Sequence, residues 1–253
     1  MQVARRECDR SVAVESSLQE TEQVSGGYFV VLSAARSPYM NAELLPTEIL
    51  TVSDCINDMI PHTWAIEWSS DSSESRVEHA SKFGIELGRL AELQRWATQA
   101  LDDGVIGWPG TFLELDDAVR FVRAYVREPR AVVCGIGLSA EYRSSFLEEA
   151  KPGQNEGATG VYLAVERGHS PAAGGRSLGF DVLGWDFGAF HSYLCNGLEN
   201  HFQKEFGIVP NPAGRFETEA EARTCADCAN LEETGAEPGL WLPWEVRVYD
   251  SGA

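Results

Sequence analysis

Short apolar runs rich in β-branched and aromatic residues recur along this chain at wide and irregular intervals. They fall at residues 28–33 (YFVVLS), 131–138 (AVVCGIGL), 178–185 (LGFDVLGW) and 245–249 (EVRVY). Runs of this length and composition read as strands, because branched and aromatic side chains pack well on a pleated surface and are too few for a helix face. Segments of helical period lie between them, yet strand and helix do not alternate in regular βαβ units. A doubly wound parallel sheet needs that alternation, so the pattern predicts an α+β fold, a mixed and largely antiparallel sheet packed with several helices. Residues 28–253 read as one continuous domain, with a sub-boundary near residue 129 as the alternative. Residues 1–27 lack a sustained period and end in Ser25-Gly26-Gly27, the mark of a mobile lead-in.

Weaker strands are expected at residues 48–52 and 63–68. A helix is expected over 75–102, broken near Gly84, with Asp71 and Glu74 spaced as a variant capping box and Leu87, Leu90, Leu93, Ala97 and Leu101 on one face. Further helices fall at 116–126 and 140–150, and a strand at 161–166. Residues 188–206 read as a central helix stopped by Gly207, Ile208 and Pro210. A last helix, 218–230, opens with Thr218 and Glu221 at capping-box spacing.

The chain is strongly acidic: 39 Asp and Glu against 20 Lys and Arg leave a formal charge of −19 over 253 residues. Such a field repels phosphate backbones and anionic lipid and steers cationic partners, so nucleic acid and membrane are excluded as expected partners and a basic protein is favoured. No run of about 18 apolar residues spans a bilayer, and the charged N-terminus is not a secretory signal. The six cysteines (Cys8, Cys55, Cys134, Cys195, Cys225, Cys228) are sparse and sit mostly in apolar or alanine-rich segments. That is the usage of reduced thiols, and the expected location is cytoplasmic.

Three motifs invite chemistry. Gly135-Ile136-Gly137-Leu138-Ser139-Ala140 imitates a dinucleotide fingerprint, but the next acidic residue at a strand end, Glu166, is too distant and no second βαβ half exists. A tight turn with Ser139 as helix N-cap is the simpler reading. Cys225 and Cys228, joined by His191 and Cys195 at helical i, i+4 spacing, would make a four-ligand zinc set, but the CxxC lies inside an alanine-rich helix rather than on a turn. His191 with Ser192 or Cys195, and Asp181 or Asp186, could form a hydrolytic constellation, yet neither nucleophile stands at a helix start or a sharp elbow. No cofactor, metal or catalytic residue is therefore expected, and Phe190, Leu194, Leu198 and Phe202 are expected in the core.

The residues left for recognition are Asp181, Trp185, Asp186 and His191, from the glycine- and aromatic-rich stretch 178–201. To these are added Glu217, Glu219 and Glu221 of an acidic C-terminal helix, and Trp241 and Trp244 flanking Pro243, since tryptophan is enriched at binding hot spots. The functional expectation is a non-enzymatic acidic module that binds a basic protein, an immunity-type inhibitor of a basic bacterial toxin being one instance by compositional analogy. The alternative is an unrecognised hydrolase-like enzyme or a small-ligand domain with its site around 178–201.

Overall fold

The computed structural model describes residues 22–60, 73–153, 158–186 and 188–250. The expected strand at 63–68, the Asp71/Glu74 box and residues 154–157 of the glycine-rich link lie outside the described residues.

The long strands are β1 (Gln23–Leu32), β7 (Ala131–Ser139), β8 (Arg176–Asp186) and β10 (Leu240–Tyr249). Shorter ones are β2 (Ala34–Ala35), β3 (Glu48–Ile49), β4 (Asp58–Met59), β5 (Ile106–Gly107), β6 (Thr111–Phe112) and β9 (Ala189–Ser192). Eight of them form one sheet in the order β5-β6-β1-β7-β10-β8-β9, with β4 also on β1, and β2 pairs separately with β3. All the registered pairings are antiparallel, as the missing βαβ alternation predicts. Strands from both sides of residue 129 share this sheet, since β1 lies against β7 from Gln23↔Ser139 to Leu32↔Ala131. The first strand starts five residues earlier than expected, at Gln23 rather than Tyr28.

The helices are α1 (Ser73–Lys82), α2 (Leu90–Asp102), α3 (Leu115–Tyr125), α4 (Arg143–Glu149), α5 (Gly160–Arg167), α6 (Glu199–Phe206) and α7 (Glu219–Ala229). Alternation along the strands divides the core between two faces. Leu242, Trp244 and Val246 of β10 join Phe29, Val31, Ile136 and Leu138 beneath α4 and α5. Trp241 and Tyr249, at odd offsets from these three β10 residues and so on the opposite face, belong to two further clusters: Tyr249 with α1 to α3, Trp241 with α6 and α7.

Several expectations are corrected. Residues 161–166 form helix α5, not a strand: the Thr159 hydroxyl caps the Tyr162 amide at 3.2 Å, Val161, Ala164 and Val165 are buried at helical spacing, and Gly168 ends the helix at φ +69°. A short apolar run carries too little period to decide between the two. The 75–102 helix breaks at Gly84 as expected (φ +63°) and α2 buries Leu93, Ala97 and Ala100, but Leu87 is not on that face and sits exposed on the 3₁₀ turn Leu87–Arg89. The central helix is shorter still. Asp186 and Ala189 pair across a tight hairpin containing Gly188 (φ +90°), so Ala189–Ser192 is an edge strand and only Glu199–Phe206 is helical.

Strand β10 starts at Leu240, five residues before the expected strand at 245–249, and takes in Trp241, Pro243 and Trp244. Val182 accepts from the Tyr193 amide on the β9 side, so its pairing with Pro243 is a non-hydrogen-bonded one. The proline nitrogen therefore points toward β7, whose pairing with β10 starts only at Trp244, and no ladder bond is lost. Gly135 and Gly137 lie within β7 instead of on a strand-to-helix turn. A Cβ at Gly135 would meet the Tyr28 and Tyr249 rings at 2.8–2.9 Å, and Ser139 makes no capping bond.

Candidate functional site

Of the polar residues singled out at 178–201, Asp181, His191, Ser192 and Cys195 gather where β8 and the edge strand β9 meet the loop 50–57, and Asp186 does not. That loop is pinned by Asn57: its Oδ1 accepts from the Thr51 amide at 2.9 Å, while its Nδ2 donates to the Leu32 and Ile49 carbonyls at 2.9 and 2.8 Å. Thr51 and Ser192 then both donate to Asp181, at 2.7 and 2.9 Å, and Arg215 lies 3.4 Å from the same carboxylate. Asp181, Ser192, Thr51 and Arg215 are all buried. Arg215 also donates to the Gly214 and Leu50 carbonyls. Burial raises the Asp181 pKa, and Arg215 with the two hydroxyls opposes that shift. This is an enclosed ion pair joining three segments of chain. Ser192, committed to Asp181 and sealed from solvent, is not placed as a nucleophile.

A second cluster lies at the surface beside it. Cys55 Sγ is 3.3 Å from His191 Nδ1, and Glu237 Oε2 is 2.9 Å from that same nitrogen. Cys195 Sγ lies 3.2 Å from the Ser53 hydroxyl, and the ligating atoms of Cys55, His191 and Cys195 are within 4.8 Å of one another. Asn196 braces the acid: its Oδ1 accepts from the Glu237 amide at 2.8 Å and its Nδ2 reaches Oε2 at 3.3 Å. Burial pushes the Cys195 thiol up to about 12, and burial together with the Asp54 carboxylate raises that of Cys55. Both are thus thiols at neutral pH, not the thiolates that nucleophilic catalysis requires.

The sequence pairing of His191 with Cys195 survives, but on a strand and its following turn rather than on one helix face. The CxxC does not join them. Cys225 and Cys228 face the core from α7, with Cys228 Sγ 3.4 Å from His201 Nε2. The partners found instead are Cys55 and Glu237. Cys55 is the one described cysteine in a polar segment (SDCIND), a weak signal, and nothing local points it at a histidine 136 residues away.

Trp241 and Trp244 are each 1 % exposed and so cannot anchor a partner from the surface. Trp241 lies over Gly184, where a Cβ would meet its ring at 2.6 Å, and donates to the Glu237 carbonyl at 3.0 Å. Trp244 and Trp185 pack edge-on with Phe146 and Phe190, centroids 5.0–5.3 Å apart. They are tryptophans of the core, drawn in because both faces of β10 are covered. Asp186 is half-buried at the hairpin, Glu217 is exposed, and Glu221 completes the capping box with Thr218 at 3.2 Å in both directions.

Glu219 lies 3.5 Å from Arg223, which is also bonded to Glu141. Between residues 217 and 237 stand seven acidic residues and this single arginine. Glu217, Asp227, Glu232, Glu233 and Glu237 are exposed, as is Leu231 in their midst at 51 %. No helix among the described residues is long and apolar enough to cross a membrane. The sequence matches no known family model and no curated protein, and the fold matches no solved structure.

Proposed function

We propose that this chain is a non-enzymatic, acidic protein-binding module whose partner presents a basic surface, in the manner of an immunity-type inhibitor of a basic bacterial toxin. The observation that carries this reading is the arrangement of charge over residues 217–237. Its one cation, Arg223, is already held by Glu141 and Glu219, so the exposed carboxylates of α7 and the turn after it act outward without internal neutralisation. Exposed Leu231 offers an apolar contact inside that rim, the role Trp241 and Trp244 cannot fill. The hydrolase-like alternative is disfavoured by the enclosure of Ser192 and Asp181 and by the protonated state of Cys195.

The test is binding to a basic protein encoded beside this chain, with Glu217, Asp227, Glu232 and Glu233 reversed to Lys. Because these side chains are exposed, the fold should persist while affinity falls by about tenfold or more through lost steering. Unchanged affinity in a folded variant would refute the assignment of this surface.

A further inference from the structure

A single imidazole nitrogen carries either a proton or a lone pair, so His191 Nδ1 cannot accept from the Cys55 thiol and donate to Glu237 at once. Yet both approach it, at 3.3 and 2.9 Å, with Cys195 Sγ in the same cluster. Two sulfurs and one imidazole nitrogen within 4.8 Å of one another, with a carboxylate oxygen 2.9 Å from that nitrogen, suit a central cation better than any sharing of one proton. We infer that Cys55, His191, Cys195 and Glu237 form a binding site for a thiophilic divalent cation, zinc foremost. The site draws Glu237 from the acidic stretch 217–237, but its assignment does not rest on the proposed protein-binding role.

Geometry agrees with that assignment. Zinc bonds of about 2.3 Å to sulfur and about 2.0 Å to nitrogen place tetrahedral S and N ligands about 3.5 Å apart, close to the 3.3 Å between Cys55 and His191. The ligands come from four separate segments: the loop 50–57, strand β9, the turn after it and the loop before β10. An ion there ties the edge strand to both loops. An outer layer is also in place. Ser53 lies against the Cys195 sulfur, and Asn196 holds Glu237 by its backbone and its carboxylate. Glu237, with a side chain 52 % exposed, is the exchangeable ligand, while His191 at 20 % is shielded. The soft thiolates select zinc over calcium or magnesium, and the net charge of −19 raises the local concentration of cations. Binding displaces the two thiol protons to solvent.

The experiment uses the full chain, reduced and stripped of metal with a chelator, then titrated with Co²⁺ and afterwards with Zn²⁺. The expected result is one cobalt per chain, with thiolate-to-cobalt charge transfer and the intense visible bands of a tetrahedral ion, displaced by zinc. Cys55→Ser, at an exposed position that leaves folding intact, should remove much of the charge transfer, as should Cys195→Ser. Asn196→Ala should weaken binding by about tenfold through loss of the brace on Glu237. Cys228→Ala should leave the spectrum unchanged. The inference is overturned if the reduced, folded chain takes up no cobalt. It is equally overturned if the tetrahedral spectrum survives Cys55→Ser or depends on Cys228, or if the two thiols only form a disulfide.

Discussion

Leu198 is 4 % exposed and packs with Tyr193, Phe202 and Phe216 under α7. Truncation to Ala is expected to cost about 2–5 kcal/mol, measured by urea unfolding, because the surroundings cannot fully collapse into the space. A change under about 1 kcal/mol would place Leu198 outside a packed interior. The Asp181–Arg215 pair makes a sharper prediction. Asp181→Asn leaves a buried guanidinium without its counter-charge and should destabilise by about 3–5 kcal/mol, whereas adding Arg215→Met should recover much of that loss. A double variant no more stable than Asp181→Asn would show that the arginine serves more than this pair. Burial of Phe190, Leu194, Leu198 and Phe202 was legible in the sequence although the helix proposed to bury them was not, since large apolar side chains leave water whatever element carries them. The inward tryptophans were not legible, because a Trp-x-x-Trp segment says nothing about whether both faces of its strand are covered.

Helix α7 was readable from the chemistry of its N-terminus. Thr218 and Glu221 form the reciprocal cap expected of their spacing, and Thr218→Ala should cost about 0.5–2 kcal/mol, with Thr218→Ser restoring most of it in the same unfolding assay. An unchanged midpoint for the alanine variant would mean that α7 is held by packing alone. The 188–206 segment failed because the spacing from His191 to Phe202 satisfies a helical row, while the decisive constraint is the pairing of Asp186 with Ala189 around Gly188, a contact with β8 that no local period reveals. Strand 161–166 failed for the converse reason, its Thr159 cap and Gly168 stop being outweighed by an apolar composition that suits either state. The Cys55–His191 approach belongs to the same class: it exists only once loop 50–57 is laid against β9.

At the scale of the molecule, the antiparallel sheet covered on both faces follows from a sequence with strand runs but no βαβ alternation, and it leaves the surface to carry the charge. Ion pairs are spread over the described residues, Asp181–Arg215 inside and Arg89–Glu92, Arg130–Glu128 and Arg223 with Glu141 and Glu219 outside among them. Within residues 217–237, the exposed Glu217, Asp227, Glu232 and Glu233 act at a distance, over about 10 Å at moderate salt. The direct test of a charge-guided binding module is the association rate with its basic partner across a salt series. A fall of about tenfold or more is expected from low to high ionic strength, with the dissociation rate nearly constant. An association rate indifferent to salt would contradict charge-guided binding.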